Sequence, residues 1–234
     1  MIVYPKNYDY VYHIPTLDEI EEVMYEAVKK TGCSNLCLSG GIDSSLTLHF
    51  MSKVFPSVRC FTIAQSDKHP DYYYSKIAAA KYGATHLIFI PARKEIEEAS
   101  LLGDLPGDVA VRLLFKKISQ FTDNVIVTDC IDELDCGYYS HQASQTDKHF
   151  RLKIAELEKL HLEPLNRNSG KVKVFVPYAS PEVVQTFLRI PLSDKVTSQK
   201  RKIHVAKIAS KYIPLEIIER RKFGFCAALD EVRI

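Results

Sequence analysis

The chain has 234 residues, 46% hydrophobic and 26% charged, with 9 Gly and 11 Pro, which excludes collagen-like, disordered and low-complexity classes. Thirty-one Lys and Arg against 29 Asp and Glu leave a net charge of +2, far from the basic balance of a protein that coats nucleic acid. No apolar run approaches the ~18–20 residues of a membrane span, and the first fifteen residues or so lack a secretory pattern. Six cysteines are too few for a disulfide scaffold of this size, which points to a reducing cytoplasm.

Residues 1–15 read as irregular, with Pro5 and Pro15 as breakers. Tyr4, Tyr8, Tyr10 and Tyr12 there suit packing better than base stacking. Thr16-Leu17-Asp18-Glu19 is a capping box that opens a helix, with Gly32 as its stop. Short apolar runs then alternate with helical stretches. Strands are predicted at 36–38, 58–64, 86–90 and 125–127. Helices are predicted near 44–54 and 71–82, with two more around the turn at Gly103–Gly107. This rhythm indicates an α/β fold, a Rossmann-like, doubly wound parallel sheet with its ligand beyond the strands' carboxyl ends. After residue 130 the pattern turns helical, near 150–161, 181–188, 197–212 and 214–222, with one short strand at 172–176. The expected organisation is one domain, 1–234, with a nucleotide-binding core (1–140) and a helical extension completing the site (141–234).

Ser39-Gly40-Gly41-Ile42-Asp43-Ser44-Ser45 lies between the first sheet strand and its helix. Two glycines permit a tight turn whose N–H groups converge on an anion, and the helix dipole adds to that field. The loop lacks the Lys-Ser/Thr ending of a Walker A sequence and carries Asp43 instead. A carboxylate in an anion site calls for a bridging cation, ordinarily magnesium. A second acidic cluster, Asp129, Asp132, Glu133 and Asp135, crowds seven residues after the fourth strand. If enclosed, it requires counter-charges or raised pKa values. From Lys195 to Lys222 the chain holds nine Lys and Arg but two acids, a solvated face or a phosphate-facing one.

The glycine loop resembles the SGGxDSS loop of the N-type ATP pyrophosphatases, the PP-loop superfamily. Further blocks resemble the synthetase domain of asparagine synthetases and the related β-lactam synthetases. They are Phe61-Thr62-Ile63-Ala64, the segment 129–138 (EGxDExxGGY in that family), Leu165-Asn166-Arg167 with Val176-Pro177-Tyr178, and Arg220–Phe225 after Lys202. The resemblance implies ATP and Mg2+ as cofactors. It implies nucleotide contacts from Leu38, Ser39, Gly40, Gly41, Asp43, Ser44, Ser45, Ile63, Thr128 and Lys222. Asp43 and Asp132 would hold the metal, Lys202 in the penultimate helix would stabilise the reacting phosphate, and Asp129 would serve the acyl acceptor. The implied reaction activates a small-molecule carboxylate as an AMP ester and passes it to ammonia or an amine. Residue 2 is Ile rather than the nucleophilic Cys of a glutaminase domain, so nitrogen is expected from free ammonia or a separate amidotransferase subunit. Thr128, Cys130, Ile131 and Cys136 stand where the family has small residues, which narrows the acceptor pocket or forces another loop conformation. Two alternatives stay open, a tRNA- or base-modifying enzyme, including thiolation, and a nucleotide-binding protein without acceptor chemistry.

Overall fold

A computed structural model describes residues 13–224 and 227–230. The tyrosine-rich start (Tyr4, Tyr8, Tyr10 and Tyr12), Phe225 and Cys226 lie outside them.

Helix α1 (Leu17–Lys30) starts at Thr16, whose side chain accepts from the Glu19 N–H while Glu19 reaches back to Thr16, as the capping box requires. It buries Ile20, Met24, Ala27 and Val28. Strand β1 (Asn35–Cys37), helix α2 (Ile42–Val54), β2 (Arg59–Ile63), α3 (Pro70–Lys81), β3 (Thr85–Phe89), α4 (Arg93–Ala99), α5 (Asp108–Ile118) and β4 (Asn124–Ile126) follow in alternation. Then come α6 (Ile131–Leu134), α7 (Tyr139–Ala143), α8 (Asp147–Leu157), a π-helical turn (Glu158–Leu162), α9 (Glu163–Asn168) and β5 (Lys173–Phe175). A 3-10 turn (Pro177–Ala179) leads to α10 (Pro181–Leu188), α11 (Leu192–Lys195), α12 (Ile203–Ala209) and α13 (Leu215–Glu219).

The five strands form one parallel sheet in the order β3-β2-β1-β4-β5. Side chains alternate between its faces, as strand geometry demands. Leu36, Cys60 and Ile126 join one apolar core with α1, α2 and α10, whereas Phe61, Val125 and Val127 join a second core with Leu113, Leu114 and Ile118 of α5. The sheet is therefore covered on both sides, a Rossmann-like fold. The strand order reverses between β1 and β4, paired through Leu36 and Ile126. The loops leaving these two strands consequently face each other, the position where open α/β sheets bind ligands.

The second half of the chain is not purely helical. β5 completes the sheet by pairing with β4, so the extension beyond residue 140 is woven into the core. The helix predicted over 197–212 forms only over Ile203–Ala209. Thr197 closes a turn instead: its Oγ1 accepts from the Lys200 N–H at 3.0 Å, and its N–H donates to the Lys200 carbonyl at 2.7 Å. Such local bonds compete with helix continuation. Lys202 is thus not inside the helix but at its N-cap, in the left-handed region with φ 54°. The helix predicted over 214–222 likewise ends at Glu219, and Arg220 is extended.

Candidate active site

A cleft of about 870 Å³ opens at the carboxyl edge of the sheet. Leu38, Ser39, Gly41, Asp43, Ile63, Thr128, Asp129, Asp132, Lys202 and Lys222 all line it. Three of the expected nucleotide-binding residues do not. Gly40 packs beneath the loop, where a Cβ would lie 2.2 Å from the Ser75 nitrogen and 2.3 Å from the Tyr74 carbonyl carbon. With φ at 69°, only glycine suits this close approach to α3. Ser44 Oγ turns inward to Ser39 Oγ (3.2 Å) and the Gly41 carbonyl (3.3 Å). Ser45 Oγ is buried with no hydrogen-bond partner among the described residues.

Asp43 sits in the first turn of α2, and that turn is pinned from behind. Thr47 Oγ1 lies 2.9 Å from the Asp43 carbonyl and 2.5 Å from Oη of Tyr178, which is fully buried. Lys202 Nζ donates to Asp43 Oδ2 at 2.6 Å and also bridges to Asp132 Oδ1, while Lys222 pairs with Asp132 Oδ2. Four groups from three distant segments therefore form one nearly buried cluster. Burial alone would raise the Asp132 pKa, but the Lys202 and Lys222 ammonium groups outweigh it and hold the carboxyl below the usual range. For Lys202, Asp132 and Asp43 overcome burial and hold the ammonium charged. Gly137 makes room for this arrangement: a Cβ there would lie 2.0 Å from Asp132 Oδ1 and 2.6 Å from Lys202 Cε.

The four crowded acids have four separate fates. Asp132 enters the lysine cluster. Asp135, fully buried, accepts from the Val205 N–H at 2.9 Å and meets His204 Nδ1 at 3.2 Å. It thus caps the start of α12, whose own N-cap residue, Lys202, sends its side chain into the cleft. Glu133 accepts from Tyr138 Oη at 2.5 Å and faces His161 Nε2 at 3.5 Å. Asp129 lines the cleft; burial and the charges of Asp132 and Asp43 raise its pKa, against the opposing pull of His161. The loop carries Cys130 and Cys136 at positive φ (81° and 56°), so the backbone keeps conformations natural to glycine and tolerates the strain of a Cβ.

Other motif residues turn out to be fasteners. Arg220 donates to Asp71 Oδ1 at 2.7 Å and to the Ser39 carbonyl at 3.1 Å, tying the tail to the glycine loop. Arg167 pairs with Asp108 at 2.7 Å, at the start of α5. Lys222 also lies over the Tyr138 ring, 5.0 Å from its centroid. Sequence reasoning missed Glu133, Tyr138 and His161 as a cluster. Its only signal was the acidic segment itself, because His161 arrives from the π-helical turn.

Asp43 and Asp132 suit a divalent cation. The Lys202 ammonium already occupies a point reached by both carboxylates, and Asp43 Oδ1 is buried without a hydrogen-bond partner. Among the described residues no three His, Cys, Asp or Glu gather as a complete ligand set, so phosphate oxygens and water would supply the rest. The five described cysteines are free. Cys37, expected inside a buried strand, is half-buried and lines the cleft with Cys130; burial pushes both thiols up, away from thiolate.

A glycine loop after the first strand, an acidic segment after its neighbour and cations folded over both define a PP-loop α/β domain. The family model for asparagine synthase matches residues 19–174 and 168–233, and the chain belongs to that family. Among solved structures it is similar to an NH3-dependent NAD synthetase from Campylobacter jejuni subsp. jejuni NCTC 11168, at 21% identity and a TM-score of 0.42. That match covers 65% of this chain and 78% of the other, too distant to carry any residue role across. No curated protein matches. Among the described residues no helix is long and apolar enough to cross a membrane.

Proposed function

We propose that this chain is an ATP-dependent amide-forming ligase that activates a small-molecule carboxylate as an AMP ester, releases pyrophosphate, and transfers the acyl group to ammonia or an amine. The observation carrying this reading is the single cleft in which the glycine loop, the Asp43–Lys202–Asp132–Lys222 cluster and the Asp129 carboxyl converge. In this reading Leu38 and Ile63 flank the nucleoside, Ser39 and Gly41 line the phosphate path, and Thr128 and Asp129 border the acceptor end. A magnesium ion held by Asp43 and Asp132 would neutralise phosphate charge. Lys202 and Lys222 then turn from the carboxylates toward the triphosphate oxygens. As carboxylate oxygen attacks the α-phosphorus, negative charge grows on the phosphoryl oxygens, and a fixed ammonium meets it. Asp129, with its raised pKa, accepts a hydrogen bond from the incoming nitrogen.

Burial pushes both cleft thiols up, away from the thiolate that sulfur transfer would use, so they do not favour that alternative. The test is release of AMP and pyrophosphate from ATP, magnesium and ammonium with a panel of aspartate, glutamate and short monocarboxylates. Dependence on one carboxylate supports the reading. Failure of every carboxylate, with nucleotide still bound, overturns it in favour of a protein without acceptor chemistry.

A further inference from the structure

The acceptor end of the cleft contains a group that no sequence motif marks. His161 projects from the π-helical turn Glu158–Leu162, a backbone irregularity that frequently marks functional sites. Its Nε2 faces Glu133 Oε1 at 3.5 Å, and that carboxyl, 3% exposed, is held in turn by the Tyr138 hydroxyl at 2.5 Å. Nδ1 of His161 makes no hydrogen bond among the described residues. Tyr138 is itself fixed: its ring lies under Lys222, and its N–H donates to His141 Nδ1 at 3.2 Å. The imidazole thus has a buried carboxyl 3.5 Å from Nε2, at ion-pair rather than hydrogen-bond distance, and lines the same cleft as Asp129. A histidine near a buried carboxyl at the acceptor end of a cleft is placed where general-base catalysis can use it.

We propose that His161 is the proton acceptor of the amide-forming step, with Glu133 as its positioning residue and Asp129 as the group that binds the amine. This rests on the amide-forming reading above. The nitrogen lone pair attacks the acyl carbon of the AMP ester and forms the C–N bond. The C–O bond to AMP breaks, its electron pair leaving on the AMP phosphate oxygen. The surplus proton on nitrogen passes to Nδ1 of His161, and the Glu133 carboxyl near Nε2 stabilises the positive charge that forms. The imidazole faces Glu133 and, through Glu133, Tyr138, and it shares the cleft lining with Asp129.

Because adenylation precedes this step, the two half-reactions separate the outcomes. Carboxylate-dependent exchange of labelled pyrophosphate into ATP reads adenylation alone; amide release reads both. His161→Gln is expected to keep exchange within a few-fold of wild type and to lose roughly 10²-fold in amide release, with the rise of rate through the histidine range flattened. Imidazole added to His161→Ala restores part of the amide rate and leaves exchange unaltered. Glu133→Gln gives a smaller loss that keeps a displaced pH profile. Wild-type exchange together with full amide release by His161→Gln overturns this inference alone. Absence of exchange in the wild type, for every carboxylate of the panel, overturns the ligase reading and this inference with it. A variant that loses both half-reactions equally assigns His161 to folding or ATP binding and also overturns it.

Discussion

Lys202 donates to Asp43 at 2.6 Å across 159 residues of sequence, joining the last third of the chain to the glycine loop. The left-handed backbone at Lys202 and the Asp135 cap on α12 both serve to aim this one ammonium. The Lys202 side chain is 5% exposed and that of Asp43 17%, so the pair is a largely buried one. Removing one partner of a fully buried pair costs about 3–5 kcal/mol, and partial exposure of Asp43 together with the nearby Lys222 reduces that cost here.

Asp43→Asn removes one of the two carboxylates that fit the metal. Magnesium-ATP at a hundred-fold excess over its Kd stabilises the wild type by about 2.7 kcal/mol through mass action. In the variant, most of the resulting rise in melting temperature is expected to vanish. A thermal shift measured with and without magnesium-ATP decides it. An unaltered shift takes Asp43 out of the metal site.

Gly40 and Gly137 separate folding from site assembly. At Gly40 a Cβ meets the backbone of α3 and the residue needs positive φ, so Gly40→Ala is expected to cost several kcal/mol and to lower expression. At Gly137 the Cβ meets side chains, Asp132 and Lys202, which can swing aside. Gly137→Ala should therefore remain folded by circular dichroism while ATP affinity falls at least ten-fold. Wild-type affinity in this variant would show that the cluster does not touch nucleotide.

The α/β alternation, the capping box at Thr16 and the glycine loop were legible because each depends on neighbours in sequence. The pairing of β1 with β4 was not, since parallel strand order is a long-range choice that hydrophobic runs of three to five residues cannot encode. That pairing is what sets Asp132 opposite Asp43. Lys202, picked out through its family position, lies at the N-cap of α12 rather than inside a helix, because Thr197 and Asp135 act through side-chain bonds that helical periodicity does not register. The π-helical turn hid His161 in the same way. The acidic run 129–135 was read as one electrostatic feature, but packing distributes it into a cleft carboxyl, an ion cluster, a tyrosine-bound carboxyl and a helix cap.

Asp129 sets up a trade between stability and activity. Its folded pKa is raised, by burial first and then by Asp132 and Asp43. A carboxyl whose folded pKa exceeds its unfolded value favours the folded state when protonated, and that contribution is lost as pH rises through the folded pKa. Asp129→Asn, which never ionises, should therefore melt a few degrees higher than wild type near neutral pH and show little difference in acid. Amide release should fall at the same time. Melting curves between about pH 4 and pH 8 read the first effect. A variant less stable than wild type at neutral pH would mean that Asp129 is held charged by a partner.

Lys202 distinguishes catalysis from nucleotide binding. In the free protein it is bound to Asp43 and Asp132, so Lys202→Ala should melt below wild type without ligand, with Asp43 left without its cation and Asp132 holding Lys222 alone. Magnesium-ATP should recover most of that loss, because the metal then takes over the neutralisation of both acids. If the ammonium meets charge that develops only as the α-phosphorus is attacked, its contribution falls on the transition state rather than on bound ATP. Turnover should then drop roughly 10²–10³-fold while the ATP Kd stays within a few-fold. Lys202→Arg should rescue only in part, since a planar fork cannot occupy the compact point that one ammonium shares between two carboxylates. Isothermal binding of ATP beside pyrophosphate release under saturating carboxylate reads both quantities on the same variant. Equal losses in affinity and turnover would make Lys202 a ground-state ligand, and wild-type turnover would leave Lys222, the other cation on Asp132, as the stabilising charge.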